Sequence, residues 1–212
     1  MSLKTTLCSV LVLIATGLPA QTDAPANPTY RHRTYFVLIH LINPYQPTAI
    51  IGREFRLKGP NALALEGAYM FGTLHNPPSH GYRTRASYRY YLPLRDPKAD
   101  PKYLTIMAAW QQRFQRASGW YDRFGGQYQE YLTGARTWKA VRLNAGIGFL
   151  VWGKKKRYWE FLIAPGVRWV LRTAYDFPAD VQSDGDFWDP LEDNKWLMLP
   201  DFTFHLSFGK AR

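Results

Sequence analysis

Beyond about residue 34, apolar side chains return at every second position, the period of a strand whose two faces meet different surroundings, and no stretch shows helical spacing. The clearest case runs from Tyr158 to Arg172. One parity carries Trp159, Phe161, Ile163, Pro165, Val167, Trp169 and Leu171; the other carries Tyr158, Glu160, Leu162, Ala164, Gly166, Arg168 and Val170. One face is therefore bulky and apolar, and the other mixes charge with small residues. Phe202, Phe204, Leu206 and Phe208 alternate in the same way with Asp201, Thr203, His205 and Ser207. Val141, Leu143, Ala145, Ile147, Phe149 and Val151 do so with Arg142, Asn144, Gly146, Gly148, Leu150 and Trp152. Weaker alternation at about 35–42, 48–57, 62–73, 82–92 and 102–114 brings the candidates to eight. If residues 34–57 hold one bent strand rather than two, the count is seven and Gln127–Thr133 supplies the missing one.

This pattern predicts an all-β, up-and-down antiparallel barrel. Two versions compete: a soluble barrel with an apolar lumen, and a transmembrane one with a polar lumen. Aromatic placement favours the second. Trp159 and Trp169 share the apolar parity ten residues apart, which at ~3.3 Å per residue and ~40° tilt separates them by ~25 Å along a membrane normal. Trp110, Trp159, Trp169 and Phe208 are accordingly expected at the two lipid–water interfaces. Connection lengths agree: Lys58–Asn61, Pro93–Pro101 and Gly153–Arg157 would be short inner turns, and Gln115–Lys139 and Thr173–Trp196 long outer loops. The tight Asn43–Pro47 connection is the exception.

The N-terminus carries the addressing information. Lys4, an apolar run from Leu7 to Ile14 and a small-residue stretch ending at Ala20 follow the order of a secretory signal. The expected division is a signal peptide over 1–20, a flexible leader over 21–33 and an outer-membrane barrel over 34–212. The only cysteine, Cys8, falls inside the signal, so no thiol is expected in the mature chain. Formal charge is +11 for the 212 residues and +10 once Lys4 leaves with the signal. An exported chain makes a nucleic-acid partner an unsuitable explanation for that charge.

Four short segments, Ile51-Gly-Arg-Glu-Phe, Ala64-Leu-Glu-Gly-Ala-Tyr, Arg85-Ala-Ser-Tyr-Arg-Tyr-Tyr-Leu and Ala145-Gly-Ile-Gly-Phe, spread from about Leu38 to Arg172. Through them the chain resembles small outer-membrane barrels of Bacteroidota that carry a domain of unknown function. The resemblance implies an eight-strand barrel and no particular activity.

Placed on the inward parity, Glu54, Arg56, Glu66, Arg83, Arg85, Arg89, Arg113, Arg142, Glu160, Arg168 and Asp201 would fill the lumen with seven arginines and four acids. Buried charges need partners, and guanidinium forks suit carboxylates, so a structural ion network is expected. The excess of arginine keeps a narrow anion pathway as an alternative. His205 and Ser207 have the spacing of a His-activated serine, which raises a lipid-modifying barrel enzyme, but no acid follows them to orient the histidine. Asp184, Asp186 and Asp189 are weak candidates for a hard cation. His75 and His80 are too few for a metal site. Trp120, Tyr121, Phe124, Tyr128, Tyr131 and Trp138 stand among Arg116, Arg123, Arg136 and Lys139, a composition that suits headgroups or a glycan partner. Lys154–Arg157 reads as a solvated charged turn. The expectation is a non-enzymatic barrel without catalytic residue or cofactor, with a structural, adhesive or accessory role. Its partners would be outer-membrane lipid and lipopolysaccharide, with protein or glycan at the outer loops.

Overall fold

A computed structural model describes residues 31–38, 47–71, 79–93, 100–181 and 194–211. Eight strands follow one another: β1 (His32–Val37), β2 (Thr48–Arg56), β3 (Asn61–Met70), β4 (Ser79–Tyr91), β5 (Lys102–Arg123), β6 (Tyr128–Trp152), β7 (Arg157–Arg172) and β8 (Trp196–Ala211). Each pairs antiparallel with its sequence neighbour, and β1 closes the ring on β8 from Arg33↔Ala211 to Val37↔Ser207. Closure over these five positions joins the first strand to the last, so the described sheet has no free terminal strand. β1 and β2 are separate strands, paired from His32↔Phe55 to Val37↔Ile50. The count among the described residues is thus eight, and residues 128–133 belong to β6 instead of forming a further strand.

The expected parities hold around the ring. Odd positions of β1, β4, β5 and β8 and even positions of β2, β3, β6 and β7 turn into the barrel; the alternate positions form the exterior. All eleven charged residues assigned to the lumen sit on inward parity.

Two boundaries differ from expectation. The segment 115–139, expected as a loop, is instead the upper part of a long β5–β6 hairpin, paired out to Arg123↔Tyr128. Phe124, Gly125 and Gly126 turn it with φ of 48°, 70° and 91°, conformations that glycine supplies without steric cost. The segment reads as loop because its two faces carry similar polar and aromatic residues, so period two is present without a hydropathy contrast. β8 starts at Trp196, where the Thr173–Trp196 connection was expected to end, and Pro200 lies within it opposite Val167. Finally, Arg33, expected in the leader, is an inward residue of β1.

Eight strands enclose a narrow lumen, and large inward side chains need space from the opposite strand. Glycine supplies it. Tyr35 pairs directly with Gly52, Tyr103 with Gly148 and Tyr158 with Gly209. A Cβ added at those glycines would lie 2.3, 2.2 and 2.4 Å from the tyrosine atoms. Gly148→Ala is therefore expected to destabilise the barrel by about 1–3 kcal/mol through overpacking, read as a lower urea midpoint in detergent. Gly67→Ala, on the exterior with nothing within 4 Å of the added Cβ, should leave that midpoint unchanged or slightly raised.

Candidate functional site

The lumen is divided into two halves of opposite character. Towards the short-turn end, Arg33 (β1), Glu54 (β2), Arg89 (β4) and Glu160 (β7) meet at the barrel axis, each completely buried. Arg33 lies 2.6 Å from Glu54 and 3.3 Å from Glu160, and Arg89 lies 2.7 Å from both. Arg85 pairs with Glu66 at 2.6 Å one layer further along. Hydroxyls complete the carboxylate shells: Tyr91 donates to Glu54 at 3.0 Å, Tyr35 to Glu66 at 2.7 Å, Ser207 to Glu160 at 3.0 Å, and Tyr103 also donates to Glu160. Guanidinium faces rest on rings, Arg33 4.7 Å from the Tyr158 centroid and Arg89 4.8 Å from that of Tyr103. Three arginines meet three glutamates, so this six-residue cluster is neutral as well as dry, and a fourth inward guanidinium, Arg56 of β2, stacks beside it 3.7 Å from the Tyr91 ring centroid.

Nearer the hairpin end Arg83, Arg113, Arg142 and Arg168 also point inward, and among the described residues the acid beside them is Asp201, 3.7 Å from Arg142 and accepting from Asn144 at 3.1 Å. Arg142 and Arg168 are direct cross-strand partners, an arrangement of like charges that costs stability. Arg83 and Arg168 make no hydrogen bond or ion pair to any described residue, and Nη2 of Arg83 and Nε of Arg168 are buried without a partner. A cavity of about 100 Å³ opens here, lined by Gln111, Arg113, Trp138, Ala140, Arg142, Arg168 and Val170. Most of these side chains are partly exposed although they point inward, so solvent reaches the cavity.

Outside, the barrel presents a band without charge. On β5 it runs from Leu104 through Ile106 and Ala108 to Trp110, with Lys102 before it and Gln112 after. On β7 it runs from Trp159 to Trp169, preceded by Arg157. Trp110 and Trp169 flank Val141 in one cross-strand row near the hairpin end. Trp159, Phe208 and Phe36 form a corresponding row near the short turns, with the Trp159 and Phe208 rings 5.2 Å apart. The four aromatics expected on the exterior are all there. Arg53, Lys210 and Arg157 belong to a row at the short-turn edge.

Above the band the β5–β6 hairpin projects with one face covered and one bare. The segment 173–181 straps the covered face: Phe177 packs beside Gly134 and Tyr121, Arg136 sits 4.1 Å from the Tyr175 ring centroid, and Asp180 accepts from Arg123 at 2.5 and 2.9 Å. The bare face shows Trp120 and Tyr131, rings in T-shaped contact, at 69% and 58% exposure.

His205 and Ser207 are both fully buried in the inner half. Arg85 donates to Nδ1 of His205 at 2.8 Å and Ser207 gives its proton to Glu160, so the two are not bonded to each other. The serine is not activated by the histidine. Asp184, Asp186, Asp189, His75 and the acid-rich part of the 173–196 connection lie outside the described residues. Sequence reading missed Arg33, Tyr35, Tyr91, Tyr103, Tyr158 and Asn144. Inward parity was a usable signal for the tyrosines; Arg33 was hidden by its polar, proline-containing surroundings.

Glu54→Gln is expected to cost about 3–5 kcal/mol, because it leaves three buried guanidiniums with two carboxylates. Glu130→Gln, beside the part-exposed Arg123, should leave the unfolding midpoint in detergent unchanged. Hydrogen bonds from Arg123 hold the Asp180 carboxyl below its usual range. Strap attachment is therefore complete above the ordinary aspartate value of about 3.9 and fades as pH falls through the lower folded value. Proteinase K should cut Asp180→Asn within 173–181 faster than wild type at pH 7, while wild type resists equally at pH 5 and pH 7.

No family model, curated protein or solved structure matches the chain, so its chemistry is read from its own residues.

Proposed function

We propose that the chain is an exported outer-membrane β-barrel of the bacterial type, closed across its inner half, with a structural, adhesive or accessory role at the cell surface and no catalytic one. The observation that carries this reading is the pairing of a charge-free aromatic-edged exterior with a charged interior, the inverse of what a barrel in water needs. In a bilayer each part has a reason. The apolar band from Trp159 to Trp169 matches the ~25 Å lipid-facing height of such barrels, and its aromatics lie at the interfaces. Arg53, Lys210 and Arg157 would meet headgroup phosphates, with Arg53 reaching past Phe55, its guanidinium 5.2 Å from that ring. The signal-like N-terminus fits export, and the four resemblance segments keep kinship with the Bacteroidota barrels as part of the proposal. The short turns then face the periplasm, and the hairpin with Trp120 and Tyr131 faces outward, where protein or glycan partners and lipopolysaccharide are met.

An anion pore is the second reading, favoured by the arginines of the outer cavity and opposed by the sealed layer beneath it. The membrane reading is tested with single nitroxide labels on the refolded mature chain, whose expected lack of cysteine makes labelling simple. In bilayers a label at Ile147 should collide with oxygen and avoid a water-soluble nickel chelate, and one at Arg116 should do the reverse. Nickel access at both positions, with a chain that stays monomeric without detergent, would favour a soluble barrel.

A further inference from the structure

We propose that the hairpin-end cavity is a blind binding site for a phosphate group, supplied as inorganic phosphate or as the phosphomonoester of a larger molecule. Arg113, Arg142 and Arg168 line it, and Arg83 occupies the neighbouring inward position beside Gln111. Among the described residues Arg142 has Asp201 beside it at 3.7 Å, while Arg83 and Arg168 pair with no carboxylate, so positive charge in this half of the lumen is left without a described partner. A chain that needed only a filled lumen would pair these charges, as it does in the layer beneath. Here the direct Arg142↔Arg168 pairing and the partnerless buried nitrogens of Arg83 and Arg168 store unfavourable energy that an anion relieves. Guanidinium forks match the tetrahedral oxygens of phosphate two at a time. Gln111 already accepts from Arg142 at 2.8 Å, which leaves its amide nitrogen as a further donor.

Size and access agree with a small ligand. The cavity's 100 Å³ is well above the roughly 10–15 Å³ that one water requires, and too small for a nucleotide or a lipid chain. Below it, the neutral layer around Arg89, Glu54 and Glu160 leaves no exposed side chain to continue a path. Anions enter from the hairpin side and leave the same way. That this side is the cell exterior rests on the membrane reading; the anion chemistry does not.

The test is titration of inorganic phosphate into the full mature chain refolded in neutral detergent at constant ionic strength, read by calorimetry and by the unfolding midpoint. Saturable binding of one phosphate per barrel is expected, with a rise in midpoint. Arg83→Gln and Arg168→Gln should each weaken it by about ten-fold or more, yet in phosphate-free buffer unfold at the same or a higher urea concentration, because a repulsion has gone. Lys154→Gln in the exposed short turn should bind as wild type does. A second arm compares bilayer discs of phosphatidylcholine alone with discs containing phosphatidic acid. If the ligand is a lipid phosphomonoester, the midpoint is already raised in phosphatidic acid discs and added phosphate raises it no further. A free ligand gives the same phosphate response in both. No saturable binding in either arm overturns the proposal. So does binding that survives both arginine substitutions, or a loss of stability in Arg168→Gln that phosphate does not influence. Binding that appears only after Asp184→Asn, Asp186→Asn and Asp189→Asn would overturn it by giving the site to the chain's own carboxylates. The detergent arm does not depend on membrane insertion and is separable from the label accessibilities that test it.

Discussion

Charge neutrality in a dry, narrow space is the constraint from which the other features follow. Arg33, Arg85 and Arg89 are drawn from β1 and β4, and Glu54, Glu66 and Glu160 from β2, β3 and β7. Arg33–Glu54 and Arg85–Glu66 join neighbouring strands, but Glu160 reaches Arg33 and Arg89 across the lumen, so the layer is complete only when the ring is closed. Removing an ion from water costs several kcal/mol even after relaxation, and the mutual attraction of the pairs repays this only when geometry and hydrogen bonding are complete. The tyrosine and serine hydroxyls supply that completion. The glycines opposite Tyr35, Tyr103 and Tyr158 are what allow rings of this size inside eight strands.

The same logic separates the two ends. Where charges balance, the lumen is sealed and carries shape; where they do not, solvent and a cavity remain. A polar interior also dictates the exterior. With charge spent inside, the outward parity is free to be aromatic and aliphatic from Trp159 to Trp169, and this inversion is what motivates a membrane as solvent. The projecting hairpin then lies beyond the band, which explains why its faces lose the apolar contrast and depend on the strap of Tyr175, Phe177 and Asp180.

Most of the barrel was legible from parity, because alternation in β6, β7 and β8 is imposed by two different environments. The lumen assignment followed for the same reason: a charged residue on an otherwise apolar strand has nowhere else to go. The β5–β6 hairpin above Gln115 was illegible because neither of its faces meets a uniform solvent. Arg33 was lost for a different reason. Its role comes from Glu54 and Glu160, 21 and 127 residues away, and nothing local distinguishes it from the charged residues around it. The split of the lumen into neutral and cationic halves was equally out of reach, since the excess of arginine was visible but its position along the axis depends on register.

The account stands most directly on the claim that the Arg–Glu layer closes the barrel. Planar-bilayer recording of the refolded mature chain measures this. A closed layer predicts a baseline without ion-dependent steps at neutral pH, with steps appearing once Glu54→Gln leaves the layer unbalanced. Regular anion-selective steps from the wild-type chain would contradict it and make the arginines of the outer cavity the mouth of a pore.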